Sequence, residues 1–192
     1  MWVVDRGVRA GLRSRMRLVS IWLLASLCAF GAEAEPGIFA DPGRIGVLSY
    51  GIYCIGGGEI VAAPETATGE IRDGGLYDWK AETLRVPARL GLAFGLVFEV
   101  RDGFGPAMIR TTHPPFEGRE ITSYRRVELF VSPTEGDRNM MYGFDYSFEL
   151  APGTWLFEIE AADGSVIRAE FEVVTDDGTL FPEVQCPALP MS

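Results

Sequence analysis

Residues 153–174 read GTWLFEIEAADGSVIRAEFEVV. Trp155, Phe157 and Ile159 alternate with Leu156, Glu158 and Glu160. Ile167, Ala169, Phe171 and Val173 alternate in the same way with Arg168, Glu170, Glu172 and Val174. Successive side chains of a strand point to opposite faces, so this period of two marks two strands, each with one apolar face. The connection decides how they meet. A two-residue Asp163-Gly164 loop sets Phe157 opposite Glu170 and mixes the faces. A three-residue loop, Ala162-Asp163-Gly164, sets Ile159 opposite Ile167, Phe157 opposite Ala169 and Trp155 opposite Phe171. A slip of one residue inverts every side chain, so the buried face selects the three-residue loop. That loop is a type I turn closed by Gly164 in the left-handed region.

The same alternation runs through the rest of the chain beyond Pro36. Leu90, Leu92, Phe94, Leu96, Phe98 and Val100 share one parity, as do Met140, Tyr142, Phe144, Tyr146 and Phe148. Val127, Leu129 and Val131 mark a further strand. Turn signals separate these segments at Gly56-Gly57-Gly58, Asp73-Gly74-Gly75, Asp102-Gly103, Glu135-Gly136-Asp137 and Pro152-Gly153. No segment carries a helical period. The expected fold is all-β: a single antiparallel, immunoglobulin-like β-sandwich, with a closed barrel as the alternative.

The amino terminus has a different grammar. Arg6, Arg9, Arg13, Arg15 and Arg17 precede an apolar run from Leu18 to Phe30, and Ala32-Glu33-Ala34 offers a small-residue cleavage site. This order is that of a secretory signal peptide over residues 1–34. The run is shorter than the roughly 20 apolar residues of a membrane-spanning helix, although a retained anchor is the rival reading. Met16 is an alternative start. Leu27 before Cys28 fits a lipid-attachment box poorly. The expected organisation is then an N-terminal extension at 35–44, a β-sandwich at 45–175 and an irregular C-terminal tail at 176–192. The mature chain would carry no transmembrane segment and would be exported, periplasmic or secreted.

The formal net charge is −10, and loss of the arginine-rich leader makes the remainder more acidic still. Nucleic acid and anionic lipid reward clustered Lys and Arg, so neither is an expected partner. Cys54 and Cys186 are the cysteines left after cleavage, an even pair in an oxidising compartment, and a disulfide between them is expected, with two unpaired buried thiols as the alternative.

With these segments laid out, the chain resembles the bacterial domain-of-unknown-function family 3859. The matching pieces are YGIY (Tyr50 to Tyr53), the Gly-Glu-Ile at Glu59, VPARLGLAFG (Val86 to Gly95), HPP (His113 to Pro115) and ELAPGTWLFEI (Glu149 to Ile159). Together they span Tyr50 to Val174. The resemblance implies a compact, often exported β domain. The family carries no established activity, so no catalytic residues transfer from it. The tail after Val174 departs from the family's short form, and the cysteine pairing draws no support from it.

Candidate chemistry is sparse. His113 in TTHPPFEG is the one histidine of the chain. A histidine base needs a nucleophile to act on and a third group to orient it, and neither is recognisable nearby. Pro114 and Pro115 remove two donors and end the strand. His113 therefore reads as capping a turn, with a ligand-contacting loop as the sharper alternative. One histidine is a poor zinc site, and the acidic turns at Glu135-Gly136-Asp137 and Asp176-Asp177-Gly178 lack the spacing of a calcium loop. Gly56-Gly57-Gly58 is followed by no helix start and no lysine, so it is not a phosphate cradle. No catalytic residue, metal or cofactor is expected. Tyr77 and Trp79 in LYDWK share a parity after a Gly-Gly turn and are candidate ligand or partner contacts with His113; alternatively, Trp79 covers one end of the core. The expected function is a non-catalytic binding or accessory module of the bacterial envelope, its partner another envelope protein or a ligand. The alternative is a polysaccharide hydrolase using paired carboxylates.

Overall fold

A computed structural model describes residues 37–101, 105–130 and 137–187. The expected signal peptide and the Asp102-Gly103 and Val131 positions lie outside the described residues. Twelve strands follow one another in the described chain: β1 (Ile38–Ala40), β2 (Ile45–Gly56), β3 (Glu59–Ala63), β4 (Gly69–Asp73), β5 (Leu76–Ala81), β6 (Arg85–Ala88), β7 (Leu92–Val100), β8 (Gly105–Thr112), β9 (Ser123–Phe130), β10 (Arg138–Gly143), β11 (Gly153–Ala161) and β12 (Val166–Thr175).

The hairpin of β11 and β12 has the register its apolar faces require. Trp155 lies opposite Phe171, Phe157 opposite Ala169 and Ile159 opposite Ile167. The Ala161 N–H donates to Ser165 O at 2.9 Å and the Gly164 N–H to Ala161 O at 3.0 Å. Gly164, at φ 86°, supplies the left-handed residue that closes the turn.

Around this hairpin a six-stranded sheet runs in the order β1-β12-β11-β8-β9, with β6 pairing in parallel with β12 beyond the end of β1. The segment read as an N-terminal extension thus contributes β1. A four-stranded sheet runs β10-β7-β2-β5, and β3 and β4 form a separate hairpin. The two larger sheets pack face to face. Phe94 of β7 meets Trp155, Phe157 and Phe171 of the opposite sheet at ring-centroid distances of 5.3, 5.6 and 5.4 Å. Full burial of such side chains contributes about 2–3 kcal/mol each, which makes this cluster the main cohesive element. The all-β antiparallel sandwich expected from the sequence is the fold found. A second, smaller cluster of Tyr53, Ile55 and Ala93 lies on the other parity of the four-stranded sheet, with Tyr77, Val97 and Met141 packed against it.

Three segments depart from simple alternation. Gly91 (φ 78°) turns the chain before β7, so Leu90 is exposed although it shares the core parity. β10 ends at Gly143, and the aromatic alternation continues as a loop and a 3-10 turn at Ser147–Glu149 rather than as strand. There Tyr146 and Phe148 stack on each other, with centroids 5.2 Å apart. In β9 Val127 points to water, 66% exposed, while Tyr124, Arg126 and Glu128 take the other side.

The tail after β12 is irregular but anchored. Arg89 forks onto Asp176 with 2.8 and 3.0 Å contacts, and donates to the carbonyls of Leu180, Phe181 and Val184. Cys186 is disulfide-bonded to Cys54 of β2, with Cα atoms 5.1 Å apart.

Candidate functional site

β9 is one edge strand of the six-stranded sheet and β10 one edge strand of the four-stranded sheet. The β3–β4 hairpin stands beside them, and between the three lies a groove of 410 Å³. β8 and β9 present alternate residues to it: Ile109, Thr111 and His113 from β8 and the turn that follows, then Tyr124, Arg126 and Glu128.

His113 is 6% exposed. Its ring stacks on Phe116 at 4.1 Å and on Trp155 at 5.1 Å, and its backbone N–H holds Thr122 O at 2.9 Å. Nδ1 lies 2.8 Å from the Pro114 carbonyl. A carbonyl only accepts, so Nδ1 carries the proton and Nε2 is the acceptor. Burial holds the imidazole below its ordinary value, with the Pro114 contact acting in the opposite sense. The ring is a neutral aromatic plate at the groove wall, fixed by its proline turn.

Glu149 is the second buried group, 2% exposed. The Tyr142 hydroxyl donates to its Oε1 at 2.8 Å, and the backbone N–H groups of Asp145 and Tyr146 donate to Oε2 at 2.7 Å each. Its carboxylate reaches back to the start of its own short turn, as in the reciprocal cap of a helix. Burial pushes the carboxyl up to about 7 against the opposing pull of these donors. Tyr142 is likewise raised, first by burial and then by the adjacent carboxylate.

The remaining charges are cross-braced. Arg72 of β4 contacts Asp145 at 3.1 Å and donates to the Gly57 carbonyl at 3.1 Å, yet its buried Nε has no hydrogen-bond partner. Tyr146 donates to Glu70, Arg126 contacts Glu128 at 2.8 Å, and Arg119 lies over the Phe148 ring at 4.1 Å. Among the described residues no group of three or more His, Cys, Asp or Glu side chains is placed to hold a metal ion. No described helix is long and apolar enough to cross a membrane.

Of the residues singled out in the sequence, Tyr77 and His113 both line the groove. Trp79 does not. It neither covers the core nor enters the groove: it is 48% exposed on β5, its indole N–H donating to Tyr50 O at 3.2 Å. Arg72, Tyr142, Asp145 and Glu149 went unnoticed as site residues. One signal was present for Glu149, an acid three residues after Tyr146, the spacing of a residue that caps its own turn.

Two sheets closed over an aromatic core, with a polar groove left at one open side, define a β-sandwich module. The chain belongs to the family described as Domain of unknown function (DUF3859), whose model matches residues 43–173. Among solved structures it is similar to one described as an immunoglobulin-like protein from Pseudomonas aeruginosa. That match has 20% identity and a TM-score of 0.47, and covers 73% of this chain and 99% of the other. No curated protein matches.

Proposed function

We propose that the mature domain is an exported, non-catalytic binding module of the bacterial envelope, and that its ligand contact is the groove lined by Tyr77, His113 and Tyr142. One observation carries the reading: the groove's carboxylates Glu70, Asp145 and Glu149, and Nδ1 of its histidine, are already tied to the protein. Glu149 is held by three donors, Asp145 by Arg72 and Glu70 by Tyr146, and His113 Nδ1 by Pro114 O. A general acid or base must be able to exchange a proton with a substrate atom, whereas a recognition surface gains from side chains fixed in advance. For the same reason, Glu149 is better understood as an internal staple than as half of a hydrolytic pair. Export is supported by the basic, apolar and small-residue order of residues 1–34 and by a disulfide suited to an oxidising compartment.

Two measurements test this. N-terminal sequencing of the protein recovered from periplasm or medium is expected to begin at Glu35; an intact leader on the recovered protein contradicts export by cleavage. Pull-downs from envelope extract then compare the mature domain with Trp79→Ala and with Asn139→Trp, which places bulk at an exposed residue of the groove rim. Capture lost with Asn139→Trp and kept with Trp79→Ala supports the groove. The reverse pattern moves the contact to β5.

A further inference from the structure

The way strands line the groove identifies the shape of what fits it. A strand that shows a face contributes every second residue, and β8 and β9 do so. A strand that shows its edge contributes consecutive residues. Asp137 through Gly143 line the groove without a gap, and so do Glu70 through Gly75. These stretches contain β10 and most of β4. Among the described residues β10 pairs with β7 alone and β4 with β3 alone, so each has one edge of main-chain N–H and C=O groups with no described strand against it. Unpaired edges are templates for another strand. The two are held in place at one end by the Arg72–Asp145 pair and the Tyr146–Glu70 hydrogen bond, which connect β4 to the loop after β10. Within the same groove the Arg72 Nε is buried without an acceptor.

We propose that the groove takes one extended peptide strand of another protein, bound through its main chain between β4 and β10. The added strand joins the β3–β4 hairpin to the four-stranded sheet and covers the inward face of β8 and β9. Main-chain hydrogen bonds supply the affinity, and alternate side chains of the peptide meet His113 and Tyr142 on the inner side. The six residues of β10 set the length of the paired segment at about six. This inference rests on the groove reading of the preceding section and names the ligand class.

The test uses phage-displayed random decapeptides panned on the mature domain and, in parallel, on Asn139→Trp. Peptides are expected to enrich on the wild-type domain alone. The enriched peptide is expected to slow amide hydrogen exchange in both β4 and β10, and N-methylation of alternate amides is expected to weaken it more than tenfold. Arg72→Met, which removes the Asp145 pair that holds β4 beside β10, is expected to weaken it about tenfold. No enrichment over Asn139→Trp, protection on one strand only, or indifference to N-methylation overturns the strand proposal. A muramyl disaccharide probe separates the two readings. If it perturbs His113 and Tyr142 while decapeptides do not enrich, the groove binds but takes no strand. Enriched peptides that bind Asn139→Trp equally well overturn both readings.

Discussion

Glu149 sits where two effects oppose each other: removal from water favours its neutral form, and three donors favour its anion. With burial the larger effect, the carboxyl titrates near 7 in the fold against an ordinary 4.5. Between those values the native state keeps a proton that the unfolded chain has lost. The associated stability is complete below about 4.5 and is lost as pH rises through about 7, on the order of 3 kcal/mol. Glu149→Gln keeps the shape and the neutral state at every pH, so its Tm is expected to gain on wild type from pH 4.5 to 8. A constant Tm difference over that range would show that Glu149 does not titrate in this window. His113 acts in the opposite direction. Its folded pKa lies below the ordinary 6.5, so the stability it contributes is present above 6.5 and is lost as pH falls through the lowered value. His113→Phe preserves the stack on Phe116 and Trp155 and removes the titration. Compared in the Glu149→Gln background, it is expected to flatten the loss of Tm below pH 6.5; an unchanged acid limb would place that loss on other groups.

At the level of elements, the β11–β12 hairpin was legible because its evidence is local: two apolar faces and a glycine fix one register. The β-strand that was expected to run through Phe148 was not legible, because what ends it is the capping of the next turn by Glu149 and the stacking of Tyr146 on Phe148. The groove was invisible for a related reason. It is assembled from edges of β4 and β10, far apart in sequence, and nothing in an alternating pattern distinguishes an edge strand from a central one. Glycines show the same division. Gly164 and Gly95 both have positive φ, 86° and 151°. A Cβ on Gly164 meets nothing within 4 Å, whereas one on Gly95 would overlap the Met140 carbonyl of β10. Gly164→Ala is therefore expected to cost about 1–2 kcal/mol, the left-handed penalty alone. Gly95→Ala adds backbone overlap between β7 and β10 and is expected to cost at least about 3 kcal/mol. Urea denaturation of both variants checks the ordering, and equal losses would show that the Gly95 contact relaxes freely.

Across the whole molecule, the tail is fixed twice: by a bond that acts on the unfolded and the native state, and by a side-chain fork that acts on the native state alone. The Cys54–Cys186 bond closes a separation of 132 residues and restricts the unfolded chain, a contribution of about 5 kcal/mol in the chain-entropy model. The Arg89 fork acts on the native state alone, holding Asp176 and three tail carbonyls against the end of β6 and the turn before β7. Cys186→Ser is therefore expected to lower Tm strongly while the tail stays docked, with slow amide exchange at Val184, whose N–H donates to Phe181 O. Arg89→Ala is expected to do the reverse: exchange in the tail quickens and Tm moves little, because the disulfide still ties Cys186 to β2 in the native state. In the double variant neither device remains, so the tail is released and Phe181 and Val184, which pack on the core, go with it. The loss of stability should then exceed the sum of the single losses. Strict additivity would mean that the fork and the bond hold the tail independently. A fall in Tm for Arg89→Ala matching that of Cys186→Ser would show that Arg89 supports the sandwich itself.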